Sequence, residues 1–144
     1  MTPPARSPLF RKIDCLFLPV ADLDAGLAFY RDALGHALSW RTETQVGLRM
    51  PDSDTELVLQ VERPEPEVDL LVASVEQAIA RIVEAGGRIV TPPFDIRVGR
   101  CAVVEDPWGN RITLLDLSKG VFVTDADGNV IGNAAPNADS SSRP

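Results

Sequence analysis

The sequence predicts an α+β fold of two tandem βαβββ units that form an open cupped barrel, with the helices on the outer faces. Each half of the chain contains a strand, a capped helix that ends at glycine, and three short strands. This order recurs with a period of roughly fifty residues. The 144 residues are 44% hydrophobic, which is enough apolar material to build a core.

The first unit is predicted at residues 11–63, after a Pro-rich, flexible arm at residues 1–10. "KIDCLFLPV" is typical of a strand, and "HALSWRTE", "TQVGLRM" and "TELVLQVE" predict three more. Between them, Asp22 is the expected N-cap of a helix and Gly35 its stop. The apolar face of this helix is expected at Leu23, Leu27, Tyr30 and Leu34.

The second unit is predicted at residues 64–120. "EVDLLV" predicts its first strand, and Ser74 with Gln77 forms a capping box for its helix. Three strands follow, in "GRIVT", "GRCAVVED" and "NRITLLDL". An extra C-terminal hairpin with an Asp-Gly turn is expected at 121–132, and a disordered tail of Asn, Ala, Ser and Pro at 133–144.

Composition excludes several classes of function. A net charge of −7 argues against nucleic-acid binding, which needs clustered Lys and Arg. No apolar stretch has the length of a membrane span, and the first residues lack the apolar core of a secretory signal. The two cysteines, Cys15 and Cys101, are expected as reduced thiols in a cytoplasmic protein. The single histidine, His36, excludes a metal site with several imidazoles from one chain.

Two motifs point to a family. "LAFYRDALG" at the end of the first helix and "DPWGNRITLLD" before the last strand, within the duplicated order, resemble the vicinal oxygen chelate superfamily. The resemblance covers about residues 11–118 and a group that includes glyoxalase I, bleomycin-resistance proteins, fosfomycin-resistance enzymes and extradiol dioxygenases. It implies that the cup is the binding or active site and that the chain forms a homodimer. The superfamily includes lyases, transferases and dioxygenases, so the resemblance leaves open whether this chain is an enzyme.

Metal-dependent members of the superfamily carry His, Glu or Gln, His and Glu at four positions facing the cup. The matching residues here are Cys15, Val58, Glu67 and Thr113, with Glu56 replacing Val58 if the register shifts by two residues. A hydroxyl and an isopropyl group are poor substitutes for metal ligands. We therefore expect no metal and no other cofactor in the cup, and treat a divalent metal as the alternative.

Strand alternation predicts which other side chains face the cup. Phe17 and Trp40 could stack on a planar ligand, and Arg97 and Arg100 flank a loop at the mouth where they could hold an anion. The predicted ligand-binding residues are Cys15, Phe17, Trp40, Glu56, Glu67, Asp69, Leu71, Arg97, Arg100, Thr113 and Leu115.

Three functional hypotheses remain open. The first is a protein that binds a small, partly apolar molecule in a metal-free cup. The second is a metal-dependent lyase or dioxygenase with a degenerate site that uses Glu56, Glu67 and a residue outside the aligned positions. The third is a metal-free isomerase with Glu67 or Asp69 as the base, because two carboxyl groups on one strand face raise the pKa of one of them.

Overall fold

A computed structural model of the protein describes residues 7–135. The first unit contains β1 (Lys12–Pro19), α1 (Leu23–Leu27), a π-helical segment (Ala28–Ala33), β2 (Leu38–Arg41), β3 (Gln45–Met50) and β4 (Ser53–Gln60). The second contains β5 (Glu67–Leu71), α2 (Val75–Glu84), β6 (Arg88–Ile96), β7 (Gly99–Glu105) and β8 (Arg111–Leu115). A hairpin of β9 (Val121–Thr124) and β10 (Val130–Ala134) follows.

The two units share one open sheet. Its strand order is β2-β3-β4-β1-β5-β8-β7-β6, and the end strands do not pair with each other. Within each unit the first and last strands are parallel, and β1 joins β5 in an antiparallel pair at the centre. The expected α+β fold is confirmed: the sheet is large, curved and not closed. Both halves of the cup therefore come from a single chain.

One face of the sheet is covered by the helices. Leu23 and Leu27 of α1 pack on Leu57 and Leu59 of β4, while Val75 and Ile79 of α2 pack in a second cluster with β7 and β8. Leu9, in the predicted arm, packs against this second cluster. The helices bury the face that carries most of the aliphatic side chains, which leaves the opposite face free to line a cavity.

The helix caps form as expected, but the first helix does not continue as an α-helix. Asp22 accepts a hydrogen bond from the Ala25 amide, and Ser74 from the Gln77 amide. From Ala28 the backbone is π-helical, with the Leu34 amide bonded to the Phe29 carbonyl. A π turn contains more residues than the α period assumes, so Leu34 leaves the buried face and is 53% exposed.

The C-terminal hairpin extends further than expected. Strand β10 reaches Ala134, because Asn133 pairs with Phe122 and its side-chain amide donates to the Arg97 carbonyl. The rest of the predicted tail, at 136–144, and the start of the arm, at 1–6, lie outside the described residues. No helix between residues 7 and 135 has the length and apolar character needed to cross a membrane.

Candidate functional site

The face of the sheet opposite the helices forms a cup with a cavity of about 510 Å³. The central strands make its floor, β6 and β7 make one side, and β9 of the hairpin makes another. Nine of the eleven residues predicted to bind a ligand line this cavity: Cys15, Phe17, Trp40, Glu56, Glu67, Asp69, Arg97, Thr113 and Leu115.

Two predicted residues do not line the cavity. Arg100 is held outside it by Glu76 and Asp95, to which its guanidinium donates at 2.9 and 3.0 Å. Leu71 ends β5 opposite Leu115, and the described lining includes Leu115 but not Leu71. Carboxylates on α2 and β6 thus bind the Arg100 side chain outside the cup. Strand alternation alone could not predict these ion pairs.

A row of polar side chains crosses the floor of the cup. Cys15 on β1 lies directly opposite Glu56 on β4 and Asp69 on β5, and Asp69 in turn lies opposite Thr113 on β8. Direct cross-strand neighbours have Cβ atoms about 4.5–5.5 Å apart. The four groups can therefore contact one small ligand together.

Asp14 joins this row because of an irregularity in β1. The register between β1 and β5 shifts between Ile13 and Cys15. Asp14 is 2% exposed, lines the cavity and accepts a 3.4 Å hydrogen bond from the Cys15 thiol. A bulge places two consecutive side chains on one face, so regular alternation missed Asp14.

The Glu67 and Asp69 carboxyl groups interact with each other in the floor. The pKa of Asp69 rises from 3.8 to about 9, because of its burial first, then its hydrogen bond to Glu67 and the charges of Glu67 and Asp14. Arg63 opposes this rise and pairs with Glu67 at 3.5 Å. Asp69 is therefore a protonated acid at neutral pH, beside a carboxylate.

Arg63 was not predicted as a site residue because it follows the end of a strand in "ERPEPE". Gln60, which is fully buried, fixes this turn: it accepts from the Glu62 and Arg63 amides and donates to the Arg63 carbonyl. The Arg63 guanidinium lies 5.7 Å from the centre of the Phe17 ring. In the sequence, an inward-facing Gln at the end of a strand is the feature that could have indicated such a turn.

Aromatic side chains form the wall beside the floor. The Trp40 indole packs over Gly47, and its Nε1 donates to Glu56 at 2.9 Å. Phe122 of the hairpin contacts Trp40 edge-on, with ring centres 4.9 Å apart. The Arg41 amide also donates to the Gly128 carbonyl, which ties the hairpin turn to β2. The hairpin is therefore part of the cup wall.

Both cysteine thiols lie in the cup and are poor nucleophiles. Burial first, and the charges of Asp14, Glu56 and Asp69 second, raise the pKa of Cys15 well above its ordinary value. Burial first also raises the pKa of Cys101 to about 12. The thiolate is the reactive form, so these side chains stay protonated and inert at neutral pH.

The family's metal positions do not fit a metal here. Val58 is fully buried against Cys15, Phe17 and Trp40, and it offers no donor atom. Thr113 offers a neutral hydroxyl, Cys15 a protonated thiol, and Glu67 is paired with Arg63. Glu56, which would replace Val58 in the ligand set if the register shifted by two residues, accepts a hydrogen bond from the Trp40 indole. Across residues 7–135, no three His, Cys, Asp or Glu side chains are placed to hold an ion.

His36 and Arg97 occupy different surroundings. The His36 ring lies 3.1 Å from the Arg49 carbonyl, outside the described cavity lining. Arg97 lies at the mouth of the cup, and its guanidinium has no ion pair within the described part of the chain. Arg97 therefore lies where the sequence analysis expected it, beside the cavity, and its role in holding an anion stays a prediction.

Solved structures with this fold carry diverse activities. Methylmalonyl-CoA epimerase from Mycobacterium tuberculosis is 20% identical, with a TM-score of 0.66 over 78% of this chain and 91% of that chain. NAD-dependent benzaldehyde dehydrogenase from Legionella pneumophila is also 20% identical, with a TM-score of 0.59 over 72% and 97%. Likeness at this identity shows the fold alone.

A variant of homoprotocatechuate 2,3-dioxygenase from B. fuscum is 27% identical, with a TM-score of 0.56 over 80% of this chain but only 34% of that chain. No curated protein sequence matches the chain. The sequence profile of one superfamily matches residues 12–114, which include both motifs except the last residues of the second. The chain therefore belongs to the glyoxalase/bleomycin resistance protein/dioxygenase superfamily.

Proposed function

We propose that the protein binds a small, largely apolar molecule in its cup without the metal used by other members of the superfamily. The observation that carries this proposal is Val58: a fully buried isopropyl group, packed between aromatic rings, stands at a position where metal-dependent members have a ligand. The cup keeps the cavity of the fold, but the space beside Val58 holds Phe17 and Trp40.

The size and lining of the cavity support binding of a drug-sized molecule. Its volume of about 510 Å³ lies within the range of about 300–1,000 Å³ that is usual for small-molecule sites. Phe17, Trp40, Phe94 and Phe122 provide aromatic side chains, and Asp69 and Thr113 provide polar groups in the floor. Apolar walls with a few polar groups are typical of such sites.

Binding can be measured through Trp40, because the two tryptophans differ strongly in exposure. Trp40 is 4% exposed in the cup wall, while Trp108 is 83% exposed on the turn before β8. In the Trp108→Phe variant, we expect para-tert-butylbenzyl alcohol to change the Trp40 emission saturably, with unchanged affinity after chelator treatment. Retention of one divalent ion per chain after dialysis, or no response of Trp40 to any apolar probe, contradicts the proposal.

A second candidate, metal-free proton transfer, is favoured by one observation. The protonated Asp69 lies beside the Glu67 carboxylate, so the floor contains a proton donor and a proton acceptor together. With 2-tetralone as a flat carbonyl probe in deuterated water, we expect wild-type protein to exchange its α-hydrogens faster than Glu67→Gln. Equal exchange rates in a proton NMR time course exclude this candidate.

A cytoplasmic location and a homodimer remain part of the proposal. Neither changes the chemistry of the cup, whose described lining comes from one chain. Sedimentation of the purified protein at micromolar concentration tests the dimer directly.

A further inference from the structure

One oxygen in the floor of the cup lacks a partner. Asp69 is 6% exposed, it lines the cavity, and its Oδ1 atom has no hydrogen-bond partner among the described residues. Its hydrogen bond to Glu67 therefore uses the other oxygen. A buried acceptor left unpaired is energetically unfavourable, because it has lost its hydrogen bonds to water. A ligand that donates to Oδ1 recovers this cost.

The charges around Asp69 favour a cationic donor. Asp14 on β1, Glu56 on β4 and Glu67 on β5 line the same cavity, and the neighbouring groups Cys15 and Cys101 are protonated thiols. The cationic side chains in the described lining are Arg63 and Arg97, and both are exposed residues. Negative groups thus lie in the floor, and positive groups lie toward solvent.

The walls add a second preference for a cation. Phe17, Trp40, Phe94 and Phe122 line the cavity, and the Arg63 guanidinium already lies over the Phe17 ring. The face of an aromatic ring carries negative charge density and attracts organic cations, and more strongly where water is excluded. An apolar body packed against these rings would place a charged end at the floor without exposing it to water.

We propose that the ligand class of the cup is organic amines: an apolar, ring-containing body whose protonated amine donates to Asp69 Oδ1. This proposal rests on the proposed binding function and names its ligand chemistry. Thr113, which lies directly opposite Asp69 on β8, can accept a further N–H group of the ammonium.

Three probes with the same body test the proposal in the Trp108→Phe protein at neutral pH. They are para-tert-butylbenzylamine, para-tert-butylbenzyl alcohol and para-tert-butylbenzoate, which present a cation, a neutral hydroxyl and an anion. We expect the amine to bind about tenfold more tightly than the alcohol, because a hydrogen bond from a charged donor is stronger than one from a neutral donor. The benzoate should bind most weakly.

Variants then assign the preference to Asp69. Asp69→Leu keeps the approximate size of the side chain but removes the Oδ1 acceptor. It should lower the affinity for the amine to about that for the alcohol, whose own affinity falls less because the alcohol loses only an uncharged hydrogen bond. Asp95→Asn, an exposed carboxylate outside the cavity lining, should change neither affinity. An amine preference that survives Asp69→Leu, or tighter binding of the alcohol or benzoate to the wild type, overturns the amine proposal and leaves the binding function standing. If no probe binds, both fail.

Discussion

Replacing Asp69 with asparagine should flatten the dependence of the free energy of unfolding on pH between about 4 and about 9. The pKa of the Asp69 carboxyl rises from 3.8 to about 9 in the folded protein, mainly because the group is buried and secondly because Glu67 lies beside it. In this pH window the folded chain keeps a proton that the unfolded chain releases.

The sign of the effect follows from that proton. The favourable contribution of Asp69 is complete below its unfolded pKa and is lost as the pH rises through its folded pKa. One retained proton gives a slope of up to about 1.4 kcal/mol per pH unit. Asparagine resembles the protonated carboxyl and cannot ionise, so Asp69→Asn should be more stable than the wild type at pH 8 to 9.

Urea denaturation of both proteins at several pH values measures this difference. Asp95→Asn is the matched control, because Lys119 and Arg100 lower the pKa of the Asp95 carboxyl at the surface. Its contribution is present above its unfolded pKa and is lost only in acid, so this variant should keep the wild-type slope between pH 5 and 9. Parallel curves for the wild type and Asp69→Asn would show that Asp69 is ionised throughout.

The placement of most site residues follows from strand alternation alone. Strands β1, β5 and β8 alternate regularly between the two faces of the sheet at the positions of five site residues. These residues therefore lie in the cup: Cys15, Phe17, Glu67, Asp69 and Thr113. A side-chain period of two is a strong rule for a strand with one buried face. The same rule failed at Asp14, where a bulge gives two consecutive residues the same side.

Other parts of the site depend on contacts that no local pattern encodes. Arg63 reaches the cup through a turn that the Gln60 side chain holds, and Phe122 through a hairpin docked on β2. The π-helical segment has a similar origin. Its sequence is compatible with an α-helix, so the extra residue per turn reflects tertiary packing rather than propensity. Sequence patterns predict the faces of elements better than the docking of one element on another.

Adding one methyl group at Gly47 should disrupt the aromatic wall of the cup. A Cβ atom there would overlap Nε1 and Cε2 of the Trp40 indole. The ring cannot retreat easily, because Glu56 accepts its Nε1 hydrogen bond at 2.9 Å and Phe122 packs against it. Overpacking and the loss of that bond together should cost about 2–4 kcal/mol for Gly47→Ala.

Gly132→Ala is the matched control for Gly47→Ala. Gly132 lies in β10, a Cβ atom there would meet nothing within 4 Å, and its φ is not in the left-handed region. This variant should stay within about 0.5 kcal/mol of the wild type in urea denaturation, with full probe binding.

Gly47→Ala should instead shift the Trp40 emission to the red and bind the probe at least tenfold more weakly, since 1.4 kcal/mol of lost wall contact corresponds to tenfold. Trp40→Phe in the Gly47→Ala background should restore part of the stability, because the smaller ring leaves room for the methyl group. If Gly47→Ala is as stable as Gly132→Ala, then Trp40 does not lie over Gly47, and the placement of Trp40 in the wall of the cup is wrong.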